Sequence, residues 1–275
     1  VISMTADYRP LRRLAHLART GKVDAATGKL RLGVDLGTAN IVLVVVDGRN
    51  RPVAGGWRHS NVVRDGIVVD WHGAVQAVQS IKTELETRTK ARFNRAAVSV
   101  PPGIDRGTTK VFTNVLEACG LDIAEVVDEP VAAATALGLR DGAVIDIGHG
   151  TTGVSVMNGG EVVASIDEAT GGHHMTLVLA GALKMSYESA EAFKVDPGNE
   201  AIVFATIRPT LEKMATIAAE ALAGRDVEAI ALVGGASSFP GAPGVFAEVL
   251  GRPVERPDEP LFPTPLGTAM RRKHA

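Results

Sequence analysis

Two short stretches of the sequence decide the fold: residues 34–38, which read VDLGT, and residues 145–148, which read IDIG. Each ends an apolar run with Asp-x-Gly, and a second apolar run follows shortly afterwards. Around them, short β-type runs alternate with segments of helical periodicity along most of the chain. The alternation predicts an α/β protein, and the repeated stretch predicts two similar lobes.

The spacing within the two stretches supports a duplication. Asp35 precedes the turn glycine Gly48 by 13 positions, and Asp146 precedes Gly159 by the same 13. A shared Asp-x-Gly alone would be weak evidence, because short matches occur by chance. The equal turn spacing and the matching apolar flanks indicate the same strand, turn and returning strand in both lobes.

The chemistry of this hairpin suggests phosphate binding. Glycine makes the tight turn possible, and the backbone N–H groups of such a turn can bind phosphate oxygens. Asp35 and Asp146 would then face one gap from opposite lobes. Carboxylates beside phosphates require a hard cation between them, and Mg²⁺ is held by one or two carboxylates, waters and phosphate oxygens. Two ordinary hairpins with turn glycines and capping aspartates are the alternative.

Composition excludes several classes of protein. The 275 residues are 45% hydrophobic and 22% charged, as in globular domains, and the net charge is −2. That charge argues against a nucleic-acid-binding protein, and 4% aromatics argue against base stacking. No apolar run reaches the roughly 18 residues of a membrane span. The single cysteine, Cys119, excludes an internal disulfide and is expected in the core of a cytoplasmic protein without an export signal.

Sequence periodicity predicts the individual elements. Strands are expected over residues 32–46 with a break at 37, and over 51–55, 96–100, 126–127, 143–147, 153–157, 162–166 and 229–233. Helices are expected over residues 75–85, 111–119, 130–139, 173–184, 189–193, 200–223, 243–250 and 265–272.

Residues 1–30 differ from the rest of the chain. Leu11, Leu14 and Leu17 recur at helical spacing among basic residues, which predicts a short basic amphipathic helix. Three interpretations remain open for this N-terminal extension: a frayed terminus, a docking helix for a partner or shell, and a membrane-surface helix.

Five segments resemble, in order, the motifs of the actin and heat-shock chaperone ATPase superfamily. They are the first phosphate loop (33–40), the first connecting helix (128–134), the second phosphate loop (145–152), the adenosine motif (232–237) and the second connecting helix (263–270). The resemblance implies a two-lobed actin-like ATPase (ribonuclease H-like) fold with duplicated βββαβα-type lobes around a nucleotide cleft. Residues 31–130 with 264–275 would form lobe I, and residues 131–263 lobe II.

Further segments resemble the ethanolamine-utilisation protein J family of bacterial microcompartment operons, which is described as chaperone-like. These segments are residues 62–68, 128–130 and 167–174. The resemblance implies a Mg-ATP-binding, slowly hydrolysing protein, cytoplasmic and associated with a microcompartment. Nucleotide-dependent lobe closure would act on a protein client, either an enzyme or a shell component.

The resemblance also assigns roles to residues. Asp35 and Asp146 would orient Mg²⁺ through its water shell, and Glu129 would orient the attacking water. The phosphates would lie between two loops, composed of Gly37, Thr38 and Ala39 in the first lobe and of Gly148, His149, Gly150 and Thr151 in the second. The remaining nucleotide contacts would come from Gly171, Gly172, Glu191, Lys194, Gly234, Gly235 and Ala236. The alternative for Glu191 and Lys194 is a solvated surface pair three residues apart on a helix.

The histidines depart from the superfamily pattern or invite another interpretation. His149 replaces a glycine of the second phosphate loop, where its side chain would either crowd the γ-phosphate or point away. The replacement of this glycine by His149 therefore bears on the rate of hydrolysis more than on the fold. Adjacent His173 and His174 suggest a metal site, but neighbouring helical residues point about 100° apart and rarely share one ion.

Several other functions are compatible with the sequence. An actin-like polymer or scaffold would use the same fold, and filament formation would distinguish it. A sugar or carboxylate kinase would need an added substrate pocket, for which the chain has little room. A degenerate member would bind nucleotide poorly and act as an adaptor. Reactivation of a cobalamin enzyme is a special case of the chaperone-like function, without identifiable cobalamin contacts.

Overall fold

The computed structural model describes residues 7–64 and 66–271. The strands, in chain order, are β1 (Arg31–Leu36), β2 (Asn40–Val46), β3 (Pro52–His59), β4 (Val63–Arg64), β5 (Ile67–Val68), β6 (Arg95–Val100), β7 (Asp122–Asp128), β8 (Gly142–Ile147), β9 (Thr152–Asn158), β10 (Glu161–Glu168) and β11 (Ile230–Val233). The α-helices are α1 (Arg9–Thr20), α2 (Trp71–Thr89), α3 (Arg106–Ala118), α4 (Glu129–Leu137), α5 (Gly172–Leu183), α6 (Tyr187–Val195), α7 (Glu200–Leu222), α8 (Ala242–Leu250) and α9 (Pro263–Met270).

The duplicated hairpin is present in both main sheets. The first sheet has the strand order β3-β2-β1-β6-β7, and the second has the order β10-β9-β8-β11. In each, the first three strands run antiparallel, and the next strand pairs in parallel with the first one. In the second sheet an isolated parallel bridge, Ala231 to Glu255, lies where the first sheet has β7. The predicted two-lobed actin-like fold is confirmed.

Each sheet has its own apolar core. Helices α2 and α3 bury Ile81, Leu85 and Phe112 with the first sheet, whereas α5, α7 and α8 bury Met214 and Phe246 with the second. Cys119 is buried in the first core, as its sequence context predicts. Strands buried on both faces explain the nearly continuous apolar runs of β2 and β8.

Two short helices join the halves of the molecule. Helix α4 packs directly on α9, and α9 also packs on β1. The approach is close because glycines stand at both contacts: a methyl group at Gly267 would lie 1.7 Å from the carbonyl oxygen of Ala132, and one at Gly33 would lie 2.3 Å from the nitrogen of Ala269. The C-terminal segment therefore returns to the first sheet. The division into lobes at residues 130 and 264 remains a prediction.

Helix α1 belongs to the core of this molecule. Leu11, Leu14 and Leu17 are fully buried, and Leu14 packs over Gly55 of β3, where a methyl group would lie only 2.9 Å from its Cδ1. This correction concerns residues 9–20, which are neither a frayed terminus nor a helix with a free apolar face for a partner or membrane. The chain's own sheet already covers that face. Residues 1–6 lie outside the described residues.

The strand and helix bounds differ from the predictions at several ends. Helix α2 extends four residues beyond the predicted range at each end, and α3 begins five residues earlier than predicted. Strands β4 and β5 form a two-residue hairpin that was not predicted. Strand β7 spans seven residues where two were predicted, because charged side chains hide the strand pattern of an edge strand. Helix α6 is two residues longer at each end than predicted.

Candidate functional site

Two aspartates lie at the ends of the central strands of the two sheets. Asp35 is in β1 and accepts a hydrogen bond from the Ser99 hydroxyl (Oγ to Oδ1, 3.0 Å). Asp146 is in β8 and accepts one from the Thr264 hydroxyl of α9 (Oγ1 to Oδ2, 2.8 Å). Burial raises the pKa of both carboxyls, and the charge of Asp146 raises the pKa of Asp35 further. The two carboxyls therefore share one gap between the sheets.

Glu129 adds a third carboxyl to this gap. It is the first residue of α4 and is half-buried. Its pKa is raised well above the usual range, first by burial and then by the charges of Asp35, Asp146 and Asp167. A helix N-terminus favours a negative charge. The opposite shift here shows that burial and the neighbouring carboxylates dominate.

Asp167 is a fourth carboxyl, to which the sequence motifs assign no role. It is the penultimate residue of β10 and pairs with Gly153 of β9, which pairs in turn with Asp146 of β8. Directly opposed residues of antiparallel strands point to the same face, so Asp146 and Asp167 flank the bare Cα of Gly153. The sequence could have indicated this position. Strands β8, β9 and β10 follow one another as an antiparallel meander, in which the third strand ends at the same edge of the sheet as the first.

The Asp167 carboxyl is poorly satisfied by the protein. Its Oδ1 is buried and has no hydrogen-bond partner among the described residues. Burial raises its pKa to about 6, although a hydrogen bond from the Thr151 side chain acts in the opposite direction. A buried carboxylate oxygen without a donor is unfavourable and indicates a place for a water molecule or a cation.

The predicted first phosphate loop lies between β1 and β2. Gly37, Thr38 and Ala39 occupy this turn and are half-buried. A methyl group at Gly37 would lie 2.8 Å from the carbonyl oxygen of Asn40, and the amide of Ser60 donates to the carbonyl oxygen of Ala39 (2.9 Å). The turn is therefore tight. It is also hydrogen-bonded to Ser60, the first residue after β3.

The predicted second phosphate loop is joined by backbone hydrogen bonds to the start of α5. The amide of Gly148 donates to the Thr151 carbonyl (2.9 Å) and closes the turn. The amides of Gly172 and His173 donate to the carbonyls of Gly148 and His149, at 3.0 and 2.7 Å. Gly150, the other predicted loop residue, is buried.

The glycine before α5 is required by this contact. A methyl group at Gly171 would lie 2.6 Å from the His149 carbonyl oxygen and 2.7 Å from that of Gly148. Both Gly171 and Gly172 therefore contact the second phosphate loop. Contact of either residue with a nucleotide remains a prediction.

The side chain of His149 points toward α6. Its Nε2 is 3.1 Å from the Tyr187 hydroxyl, and that hydroxyl also lies 2.8 Å from Nδ1 of His173. Burial, followed by the nearby charge of Lys194, lowers the pKa of His149 to about 4. The imidazole is therefore neutral at pH 7, and one nitrogen carries a proton.

Lys194 is buried between α5 and α6, beside the half-buried Glu191. Lys194 Nζ lies within hydrogen-bond distance of three acceptors, namely the Gly172 carbonyl (3.0 Å), Thr176 Oγ1 (2.7 Å) and Glu191 Oε2 (2.7 Å). Lys194 is only 9% exposed, so this is not a solvated surface pair. Its three hydrogens all have protein acceptors, and a nucleotide contact remains a prediction.

The predicted adenosine loop is close to Asp146. Gly234 has a φ of +88°, and a methyl group there would lie 2.4 Å from Asp146 Oδ1. Gly235 follows in a short 3-10 turn. The methyl group of Ala236 would lie 3.1 Å from a Cβ at Gly172, so the adenosine loop and the start of α5 form adjacent walls.

The carboxyls do not form a preformed metal cage. Among residues 7–64 and 66–271, no group of three or more His, Cys, Asp or Glu side chains is arranged to hold a metal ion. A Mg²⁺ ion here would therefore rely on waters and phosphate oxygens, which is its usual mode of binding. The unpartnered Asp167 oxygen and the repelling carboxyls fit such an ion.

The part of the chain that the structure describes contains no helix that is both long and apolar enough to span a bilayer.

Comparisons with known proteins agree on the fold. The MreB/Mbl protein family matches residues 58–194, and the cell division protein FtsA family matches residues 143–267. The ethanolamine utilization protein EutJ of Salmonella typhimurium is 42% identical over 246 residues, which cover 89% of this chain and 86% of that protein.

Solved structures give the same result. The crystal structure of EutJ from Carboxydothermus hydrogenoformans is 41% identical, with a TM-score of 0.90 over 96% of this chain and 97% of that one. MreB5 of Spiroplasma citri bound to ADP is 17% identical, with a TM-score of 0.72 over 88% of this chain and 95% of the other. At this identity the MreB5 match shows the shared fold alone.

Proposed function

The chain belongs to the ethanolamine utilization protein EutJ family, and on this premise we propose that it binds Mg-ATP in the gap between its two sheets. Slow hydrolysis resets the protein, and lobe closure around the nucleotide acts on a partner. The partner is an enzyme or shell component of an ethanolamine-utilising or related microcompartment. The family relationship supports the pathway, and the geometry of the gap supports the ligand.

One observation carries the ligand assignment. Asp35 and Asp146 project into one gap from equivalent strands, each beside a glycine turn. Glu129 and Asp167 lie close enough to increase the electrostatic repulsion among the carboxylates. Four carboxyls with pKa values raised above the ordinary range are unfavourable for the free protein. A cation with its waters would relieve that repulsion, and phosphate oxygens complete the shell of Mg²⁺.

The glycine turns provide sites for the phosphate chain. Backbone N–H groups of residues 37–39 and 148–151 can donate to phosphate oxygens from opposite sides. Gly234 and Gly235 leave room for the adenosine end beside Asp146. The same fold binds ADP in the solved structure of Spiroplasma citri MreB5, which makes a nucleotide the first ligand to test.

Glu129 is the residue placed to act on water. Its raised pKa makes the carboxyl a stronger base when it is ionised. In the gap it would accept a hydrogen bond from the attacking water and align that water with the terminal phosphate. Magnesium, when bound, would neutralise charge on the phosphate oxygens. Asp35 and Asp146 would accept hydrogen bonds from the waters of the metal and so fix its position.

Lobe closure follows from contacts with both sheets. A ligand shifts a conformational equilibrium only by its different affinity for the two states. ATP that touches the turns of β1 and β8 together favours the closed state, whereas ADP loses the γ-phosphate contacts. Helices α4 and α9, which pack on each other between the sheets, are the place where such a movement would occur.

Calorimetry with phosphate release tests the proposal. We expect micromolar Mg-ATP binding by the intact chain, slow phosphate release, and a loss of binding of at least tenfold in Asp146→Asn. The Asn side chain retains an acceptor for Thr264, so the fold is preserved. The matched control is Asp226→Asn, an exposed position in the loop before β11. Equal binding by Asp146→Asn and the control would contradict the proposal.

A nucleotide-independent adaptor or scaffold is the second candidate. Two observations favour it: the Lys194 ammonium is fully engaged by the protein, and the side chain of His149 lies in the second phosphate loop. An adaptor would show no ATP binding up to millimolar concentration, and its partner binding would not respond to nucleotide. A polymer would sediment, with or without nucleotide.

A further inference from the structure

The Tyr187 hydroxyl joins the second phosphate loop to two helices. It lies 3.1 Å from Nε2 of His149 in the loop and 2.8 Å from Nδ1 of His173 at the start of α5. Tyr187 itself is the first residue of α6. The rings of His173 and Tyr187 are in contact, with centroids 5.1 Å apart. The three side chains form a connected hydrogen-bond relay.

The other nitrogen of His149 lies beside Gly172, close to Ala236, and both residues are predicted nucleotide contacts. Nδ1 lies 3.4 Å from the position of a Cβ at Gly172, and the methyl group of Ala236 lies 3.1 Å from that same position. Nδ1 is therefore at the seam between the start of α5 and the adenosine loop. None of the hydrogen bonds found within residues 7–64 and 66–271 uses this nitrogen.

The relay allows two proton arrangements, and they differ in which nitrogen of His149 carries the proton. A neutral imidazole has one donor nitrogen and one acceptor nitrogen. When Tyr187 donates its only hydroxyl hydrogen to Nε2 of His149, the proton of His149 must be on Nδ1. His173 then donates from its Nδ1 to the Tyr187 oxygen. In this arrangement a donor, rather than a lone pair, faces the seam.

We propose that His149 donates a hydrogen bond from Nδ1 to a phosphate oxygen of the bound nucleoside polyphosphate, and that Tyr187 and His173 act as positioning residues that fix its tautomer. This inference rests on the proposed function, because it concerns the same ligand. The opposite tautomer would aim a lone pair at an anionic oxygen, which is repulsive.

The buried surroundings explain why the donor is neutral. The ammonium of Lys194 donates to the carbonyl of Gly172, so it and the His149 ring lie beside the same glycine. A protonated imidazole beside this cation would be unfavourable, and burial acts in the same direction. A neutral donor whose tautomer is fixed by hydrogen bonds provides a phosphate contact without an additional charge.

The tautomer can be measured in the free protein. Long-range ¹H–¹⁵N correlation spectra at pH 7 distinguish protonated from unprotonated ring nitrogens, and His149→Asn assigns the resonances by loss of signal. We expect Nδ1 of His149 to be protonated and Nε2 to be unprotonated. In Tyr187→Phe the two tautomers should become mixed. A His149 ring protonated at Nε2 in the wild type would overturn the relay, whatever the nucleotide affinity.

Calorimetry with Mg-ATP tests the phosphate contact. We expect about tenfold weaker binding in His149→Ala, because a hydrogen bond to a charged group is lost. Tyr187→Phe should weaken binding about threefold to fivefold. His149→Asn, whose amide provides a donor near the position of Nδ1, should recover part of the loss and should be insensitive to Tyr187→Phe in the double variant.

The control is Tyr8→Phe, which removes the hydroxyl of the other tyrosine in the chain, outside the relay. Its affinity should equal that of the wild type. Unchanged or tighter binding in His149→Ala would overturn the contact while leaving the proposed function intact. Failure of the wild type itself to bind Mg-ATP would overturn both.

Discussion

Asp146 and Asp167 lie on either side of Gly153, in one row across three antiparallel strands of the second sheet. The glycine leaves the space between the two carboxyls open, since a methyl group at its Cα would lie 3.4 Å from Asp167 Oδ1. That oxygen has no hydrogen-bond partner among the described residues. The two carboxylates in this row therefore repel each other when both are ionised, and a bound cation or an ordered water would reduce that repulsion.

The first prediction concerns the pH dependence of stability. Burial raises the pKa of Asp167 from 3.8 to about 6 in the folded protein. A carboxyl with a raised folded pKa destabilises the fold when it is ionised. The penalty is fully present above pH 6 and disappears as the pH falls toward 3.8. Asp167→Asn should therefore raise the free energy of unfolding at pH 7.5 by about 1–3 kcal/mol.

Urea unfolding of both proteins between pH 4.5 and 7.5 measures this effect. The gain in Asp167→Asn should shrink as the pH falls. The matched control is Glu168→Gln, the exposed neighbour, for which we expect a change within about 0.5 kcal/mol. A variant less stable than the wild type at pH 7.5 would show that the Asp167 carboxylate stabilises the free protein.

The second prediction concerns the contact between the second phosphate loop and α5. Gly171→Ala places a methyl group 2.6 Å from the His149 carbonyl oxygen, so the loop and the helix must separate. We expect a loss of about 1–3 kcal/mol in stability and a marked loss of nucleotide affinity. Gly181→Ala is the matched control in the same helix, with open space around the position. It should stabilise the protein by about 0.5–1 kcal/mol, and equal behaviour of the two variants would refute the contact.

The third prediction concerns the joint between the lobes. A methyl group at Gly267 would lie 1.7 Å from the Ala132 carbonyl oxygen, which is backbone and cannot rotate away. Gly267→Ala should cost about 3 kcal/mol and broaden the unfolding transition, because the two connecting helices are pushed apart. Calorimetric unfolding measures both effects. Gly244→Ala in α8, which has open space, should change little; a sharp, wild-type-like transition in Gly267→Ala would contradict the packing.

The fourth prediction concerns the N-terminal helix. Leu14 is fully buried against β3, so Leu14→Ala should cost about 2–5 kcal/mol of unfolding free energy. His16→Ala, on the exposed face of the same helix, should change it by less than about 0.5 kcal/mol. Equal stabilities of the two variants, measured by urea unfolding, would mean that the helix is detached from the sheet in solution.

Local pattern explains what the sequence could predict. The hairpins that carry Asp35 and Asp146 consist of apolar runs and glycine turns, which follow one another directly in the chain. The start of α4 at Glu129 has its own signal, since Pro130 suits the first turn of a helix. These elements were therefore predictable, and with them the two-lobed architecture.

Contacts between distant segments explain what was missed. The role of Asp167 depends on the pairing register of three strands, and a single-residue slip would turn its side chain to the opposite face. The hydrogen bond between His149 and Tyr187 joins residues 38 positions apart, which no periodicity encodes. Likewise, the leucines of α1 predict an apolar face but not the surface that covers it.

A crystal structure with Mg²⁺ and a non-hydrolysable ATP analogue would show whether the nucleotide binds in the gap between the two sheets. We predict density for the phosphate chain between residues 37–39 and 148–151, with the metal bridged through water to Asp35 and Asp146. A Nδ1–phosphate contact of His149 should be visible in the same density. An analogue that binds elsewhere, or no bound analogue at millimolar concentration in solution and crystal alike, would contradict the account and favour the adaptor.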